Sequence, residues 1–214
     1  MKILAIDTST PQVTAGVVER HGAQLETLAQ RAHLDARAHN EILVPLIQDC
    51  LVEAGITGAD LDAVVVGCGP GPFTGLRVGM ATAASFADAL GIPCEGICSL
   101  DALASAEGYS LVVTDARRRV VYYAAYLDGR RIFGPAVGPA DGVLATVAAE
   151  IADFEPVTVR GSARHAALID ASRAQEVLPT AAAMVSVAQR LPVVPLYLRR
   201  PDAAVPKAMR APRD

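Results

Sequence analysis

The order of strands and helices constrains this chain more than any single motif. Each half reads as three consecutive strands followed by alternating helix and strand. The first half opens with strands at residues 2–7 (KILAID), 12–19 (QVTAGVVE) and 23–32, with a turn at Arg20-His21-Gly22. A helix is expected at residues 38–54, because Ile42, Leu43, Leu46, Ile47, Cys50, Leu51 and Ala54 recur at helical spacing. Pro45 should kink that helix or confine its regular part to the C-terminal side. A buried strand at 62–67 leads through the turn Cys68-Gly69-Pro70-Gly71-Pro72-Phe73-Thr74-Gly75 into a second helix from Leu76 to Leu90, closed by Gly91. Residues 93–97 form another strand, and Ser99 is placed to N-cap a short helix through Ala104.

The second half repeats this order more loosely. Strands are expected at 110–114, 119–127, near Ile132 and at 156–160, with helices at 140–152, 163–172 and 180–190 and an extended proline-rich tail from Pro192. Two βββαβαβα halves of α/β type make the two-lobed actin-like, Hsp70-like and sugar-kinase-like ATPase fold, here with a degenerate second lobe. The expected division is a first lobe over 1–106, carrying the two long helices, and a smaller lobe over 107–214. The last helix, near 180–190, is free to pack back on the first lobe.

Composition narrows the function. The 214 residues carry a net charge of −4, and arginine gathers only at Arg117-Arg118-Arg119 and in the tail from Arg199. An autonomous nucleic-acid binder would show a broad basic footprint, and with no Trp and nine Phe and Tyr in all, stacking platforms for single strands are not expected. No apolar run reaches membrane-spanning length, and an acid at position 7 arrives too early for a leader peptide, so a cytoplasmic location is expected. Cys50, Cys68, Cys94 and Cys98 lie in apolar patterns without a CxxC pair and read as buried free thiols.

Three local features bear on chemistry. Asp7-Thr8-Ser9 ends the first strand, where this fold usually presents an acid and glycine to phosphate or metal; a side-chain-to-backbone turn is the competing reading. The turn with Gly69, Gly71, Thr74 and Gly75, between strand and helix, has the form of an anion cradle but lacks the lysine of a P-loop. It serves equally as a tight turn that aims the next helix. Asp115-Ala116-Arg117 stands where an ATPase of this fold has a glycine-rich phosphate turn, and Arg160-Gly161-Ser162-Ala163 holds one glycine where two are usual. Together these residues outline, at most, a weak residual nucleotide site. His33 and His39 read as surface histidines, and His21 and His165 have no evident partner. Gly75, Gly79, Ala83 and Ala87 form a stripe of small residues at a spacing of four, suited to a close neighbour helix, whether in the core or on a partner.

IDTST at Ile6–Thr10, GPGPFTGLRVG at Gly69–Gly79, SLDALA at Ser99–Ala104 and DARRRVVYYAAY at Asp115–Tyr126 resemble the bacterial TsaB (YeaZ) family. Pro72 stands where members more often have serine. The likeness is dense to about residue 126 and thins beyond to GSA at Gly161–Ala163 and PLYLR at Pro195–Arg199. It implies a two-lobed actin-like fold and a non-catalytic subunit for N6-threonylcarbamoyladenosine (t6A) formation at position 37 of tRNAs that read codons beginning with A. The implied partners are the catalytic paralogue TsaD and the small ATPase TsaE, with tRNA met only through the complex. TsaD carries a His-x-x-x-His metal pair, and the aligned patterns put Ser99 and Leu103 at those positions. No metal and no catalytic residue is therefore expected here.

The resemblance also implies that the first two helices dock on the same helices of TsaD. The expected interface comprises Ile42, Leu43, Leu46, Ile47 and Leu51 on the first, and Leu76, Val78, Gly79, Met80, Ala83, Phe86 and Ala87 on the second, although some must face the lobe's own core. Without its partner the chain should pair with itself through this face. On this expectation Ala83→Glu or Gly79→Arg abolishes docking and leaves the monomer folded. The alternative is a metal- and ATP-dependent carbamoyl transferase or small-molecule kinase using Asp7, the Gly69–Gly75 turn and Asp115.

Overall fold

A computed structural model describes residues 1–34 and 39–199. Two five-stranded mixed sheets form the framework. The first runs β3-β2-β1-β4-β5, from strands β1 (Lys2–Asp7), β2 (Gln12–His21), β3 (Gln24–Leu34), β4 (Ala63–Gly67) and β5 (Cys94–Ile97). The first three pair antiparallel, and β4 and β5 join in parallel after helix crossovers. The second sheet repeats the plan as β10-β9-β6-β7-β8, built from β6 (Tyr109–Asp115), β7 (Val120–Leu127), β8 (Arg130–Pro139), β9 (Thr158–Gly161) and β10 (Ala174–Glu176). This duplicated order is the actin-like, sugar-kinase-like architecture. Strand β10 was not expected; it has three residues, and its sequence AQE carries no strand pattern.

Both faces of the first sheet are covered at its centre, which explains why β1 and β4 are apolar at nearly every position, whereas the edge strand β3 is largely polar and exposed. Leu4 and Ile6 of β1 join Val64 and Val66 beneath the helices α1 (His39–Glu53) and α2 (Phe73–Leu90). Ile3 and Ala5, one residue out of phase, face the other way. There they meet Ala181, Met184 and Val185 of α5 (Ala181–Ser186), so the last helix lies on the first sheet. Thr180 N-caps α5 by accepting a hydrogen bond from Ala183 N. The Arg20 guanidinium donates to the Val185 carbonyl at its far end.

Helix α1 continues through Pro45 rather than stopping there. The ring sits on the exposed side, where water can satisfy the carbonyl that loses its amide partner, and buried Leu43 and Ile47 hold the inner face. Helix α2 begins three residues earlier than its apolar stripe suggested, with Pro72 as N-cap residue, and Gly91 closes it with a φ of 66°. No helix among the described residues is long and apolar enough to cross a membrane.

In the second lobe, α3 (Val143–Glu150) and α4 (Ala163–Asp170) cover one face of the sheet. The other face receives a 3-10 turn, Ser99–Leu103, whose Leu100 and Leu103 pack on Val112, Ala124 and Tyr126. Asp101 in this turn accepts from Tyr126 Oη at 2.8 Å and pairs with Arg131 at 3.3 Å, fastening the first lobe to the second. Burial raises the Asp101 carboxyl above its usual range, against the opposing pull of Arg131 and Tyr126.

Met184 has no exposed surface. Met184→Ala should therefore destabilise the chain by about 2–5 kcal/mol in urea unfolding. A loss under about 0.5 kcal/mol would mean that α5 does not belong to this core.

Candidate functional site

The first-lobe motifs converge, but on one another. Strand β1 delivers Asp7 into the interior, with no exposed surface. Its Oδ1 accepts from Ser9 N at 2.8 Å and Ser9 Oγ at 2.6 Å, and its Oδ2 accepts from Ser99 Oγ at 2.6 Å. Ser99 Oγ accepts in turn from Gly69 N at 3.2 Å. Ser99 therefore does not cap the 3-10 turn as expected, because its hydroxyl is committed to Asp7 and Gly69. Burial pushes the Asp7 carboxyl pKa up, and the serine hydrogen bonds offset part of that rise.

The glycines of the following turn accommodate this corner. A Cβ on Gly67 would lie 1.8 Å from Asp7 Oδ2, one on Gly71 2.4 Å from Ser9 O, and one on Gly79 2.2 Å from Thr8 Oγ1. Thr8 Oγ1 also donates to Gly75 O at 2.8 Å. Of the two readings of the turn, close packing against Asp7-Thr8-Ser9 is the one the geometry favours over an anion cradle. Gly69, Gly71 and Gly75 belong to it, whereas Thr74 points to solvent and Asp115 lies in the other lobe.

The tail closes the same region from outside. Leu191 pairs with Gly96, and Leu196 N donates to Cys68 O at 2.8 Å. The Leu196 side chain packs against both the α1–α2 core and the core between the lobes. Tyr197 then stacks on Phe73 with ring centroids 4.9 Å apart, and Arg77 donates to its hydroxyl at 3.0 Å.

In the second lobe His165 does have partners, contrary to expectation. Its Nδ1 lies 2.9 Å from Ser162 Oγ and its Nε2 3.2 Å from Asp115 Oδ1. Ser162 and His165 are three apart at the start of a helix, a spacing that signals contact; Asp115 comes from another element and could not be read in advance. Three such groups in a row suggest a nucleophile with its base. However, the amides beside the hydroxyl are already used: Ser162 N donates to Val113 O at 3.0 Å and Ala163 N to Glu176 Oε2 at 2.6 Å. An oxyanion would find no free flanking donor and would meet a carboxylate. The cluster instead braces a loop. Asp115 Oδ1 also accepts from Arg117 N at 2.6 Å, and Arg117, Arg118 and Arg119 all have left-handed φ angles of 67°, 57° and 62°. Each such residue costs about 1–2 kcal/mol, so the loop depends on this anchor.

Burial sorts the expected interface residues. Leu43, Ile47, Leu76, Met80, Ala83 and Ala87 are at most 7% exposed and form the lobe's own core with Val64 and Val66. Gly79 is buried against Thr8. These seven are corrected from interface to core, because the small-residue stripe receives the sheet. Ile42, Leu46, Leu51, Val78 and Phe86 are half-buried and keep an accessible edge. The outer row of α2 presents Arg77, Ala81, Ala84 and Ser85 to solvent, and α1 adds Val44 and Val52. Phe73, Thr74, Arg77, Val78, Ala81 and Thr82 line a shallow trough along α2. His33 is exposed, and the side chain of His39 lies outside the described residues. Among the described residues no three His, Cys, Asp or Glu side chains are grouped to hold a metal ion.

Comparison with known proteins places this arrangement. Residues 27–152 match the family model described as TsaD, tRNA N6-adenosine threonylcarbamoyltransferase. The chain is 32% identical over 132 residues to the tRNA threonylcarbamoyladenosine biosynthesis protein TsaB of Escherichia coli, an alignment covering 59% of this chain and 55% of that protein. The chain belongs to the TsaD-type family, on its TsaB (YeaZ) side. An uncharacterized protein of Mycobacterium tuberculosis is 52% identical over 209 residues, 94% of this chain and 93% of that one. YeaZ from Pseudomonas aeruginosa has the same fold, with a TM-score of 0.70 at 24% identity over 92% of this chain and all of that one. The family model, over residues 27–152, spans the glycine turn and both long helices, whereas Asp7 precedes it.

Removing the Asp7 carboxylate strands three donors in the interior. Asp7→Ala should cost at least about 3 kcal/mol, read as a fall in Tm of roughly 6–12 °C. The raised pKa also sets a pH signature. The folded chain holds this proton more tightly than the unfolded one, so this contribution is whole below the unfolded value of about 3.9 and is lost as pH rises through the folded pKa. Asp7→Asn should flatten that decline in a pH series of urea melts; an unchanged slope would show that Asp7 titrates normally.

Proposed function

We propose that this chain is a non-catalytic subunit needed for t6A formation at position 37 of tRNA, acting by docking on a TsaD-like catalytic paralogue. Support comes first from its family and its likeness to proteins named for t6A biosynthesis. The observation that carries the non-catalytic part is the state of Ser99 and Leu103, which stand where the TsaD metal pair is expected. They are 2% and 1% exposed, with Ser99 bonded to Asp7 and Leu103 packed in the core between the lobes. A leucine offers no ligand, and one bonded hydroxyl cannot replace two imidazoles.

On this reading the chain works through its surface. Helices α1 and α2 present the outer row Val44, Val52, Ala81 and Ala84, edged by Ile42, Leu46, Leu51, Val78 and Phe86. Small side chains at Ala81 and Ala84 let a partner helix approach closely. The chain needs no cofactor of its own, recruits a TsaE-like ATPase only in the complex, and pairs with itself when the partner is missing. The carbamoyl transferase or kinase alternative draws on Asp7, whose two oxygens are taken by the chain's own serines, and no observation favours it.

Ala81→Glu and Ala84→Glu should weaken co-purification with the host's TsaD-like protein at least 100-fold while leaving the Tm within about 2 °C. A pair that forms at normal affinity would move the docking face elsewhere. Ala83→Glu, by contrast, should yield unfolded or insoluble chain, since it places a carboxylate in the core. Activity should require both proteins, and t6A made by this chain unaided would overturn the reading.

A further inference from the structure

The loop between β6 and β7 is a concentrated patch of positive charge on a chain whose net charge is −4. Arg117, Arg118 and Arg119 are all exposed, and among the described residues none forms an ion pair or side-chain hydrogen bond. The nearest acid, Asp115, is already engaged by Arg117 N and His165. Arg164, also exposed and without an ion pair, adds a fourth guanidinium next to His165. The Arg199 side chain donates to Ala116 O and brings a fifth to the base of the loop.

We infer that this loop is a direct contact surface for the phosphodiester backbone of RNA. Three successive residues with left-handed φ carry exposed arginine side chains, so the loop offers three separate guanidiniums to solvent. Three adjacent, unpaired charges suit a row of phosphates better than one phosphate group, and guanidinium suits phosphate oxygens. No exposed large apolar side chain lies on the loop to anchor it in lipid. The inference adds to the proposed function a weak contact made by this chain itself, and only the natural RNA rests on that reading.

The test is fluorescence anisotropy of the full chain with a labelled, unmodified tRNA transcript across a salt series. Three phosphate contacts predict that affinity falls roughly 15- to 40-fold between 50 and 200 mM salt. The triple variant R117Q/R118Q/R119Q should bind at least tenfold more weakly at 50 mM and lose most of that salt dependence, and the triple lysine variant should keep both. A matched Tm for the variants excludes misfolding, and Arg118→Gln alone, with about a third of the effect, serves if the triple variant is unstable. Equal binding by wild type and glutamine variant, no binding by wild type at 50 mM, or binding to anionic lipid vesicles in place of tRNA would each overturn the inference. Because none of the three arginines belongs to α1 or α2, the glutamine variant should still co-purify with the TsaD-like protein, so loss of RNA binding and loss of docking are separate results.

Discussion

One buried carboxylate organises the first lobe. Asp7 ends β1, and its three hydrogen bonds tie that strand to its own following turn and to Ser99 after β5. Ser99 extends the network to Gly69, so a single carboxyl group fixes the two ends of the segment that contains α2. A buried carboxylate without partners would be strongly destabilising, and here its donors come from two stretches of chain, at Ser9 and Ser99, that must be in place together. The glycines follow from this. Gly67, Gly71 and Gly79 lack side chains where Asp7, Ser9 and Thr8 already fill the space.

The same network answers the question raised by the ATPase-like fold. In a catalyst of this architecture the corner after β1 faces a ligand; here it faces inward, and residues 191–199 run past the adjoining turn. Leu196 joins the cores of both lobes, and Tyr197 lies on Phe73 at the start of α2. The 3-10 turn Ser99–Leu103 fills the space between lobes with Leu100 and Leu103 and fastens them with Asp101. In the first lobe, Asp7, Ser9 and Ser99 are therefore engaged in internal hydrogen bonds, and Leu103 in packing.

Much of this was legible in the sequence, and the failures have physical causes. Strand order, both long helices and the twofold plan follow from periodicity, which reports local burial. Periodicity could not say which apolar side of α2 met its own sheet, because both sides carry small residues: Gly75, Gly79, Ala83 and Ala87 inside, Ala81, Ala84 and Ala89 outside. The stripe with the stricter spacing proved to be the inner one. Ser99 was misread as a cap because a hydroxyl before a helical turn is a local signal, whereas its bond to Asp7 spans 92 residues. His165 lacked a partner on paper for the same reason, since Asp115 at the end of β6 reaches it from outside its own helix.

The two faces of α2 link folding to the proposed docking. Its inner row is set against Thr8, which donates to Gly75 O, with almost no room to shift, as the 2.2 Å approach of a Gly79 Cβ to Thr8 Oγ1 demonstrates. Its outer row is therefore held in a fixed position relative to the sheet, so the proposed docking surface is largely preorganised. A preorganised helix loses little conformational freedom on binding, which favours affinity from a modest area of small side chains. The close packing of the Asp7 corner against the inner side of α2 thus keeps the face on the other side of the helix rigid, which is what the proposed docking role requires.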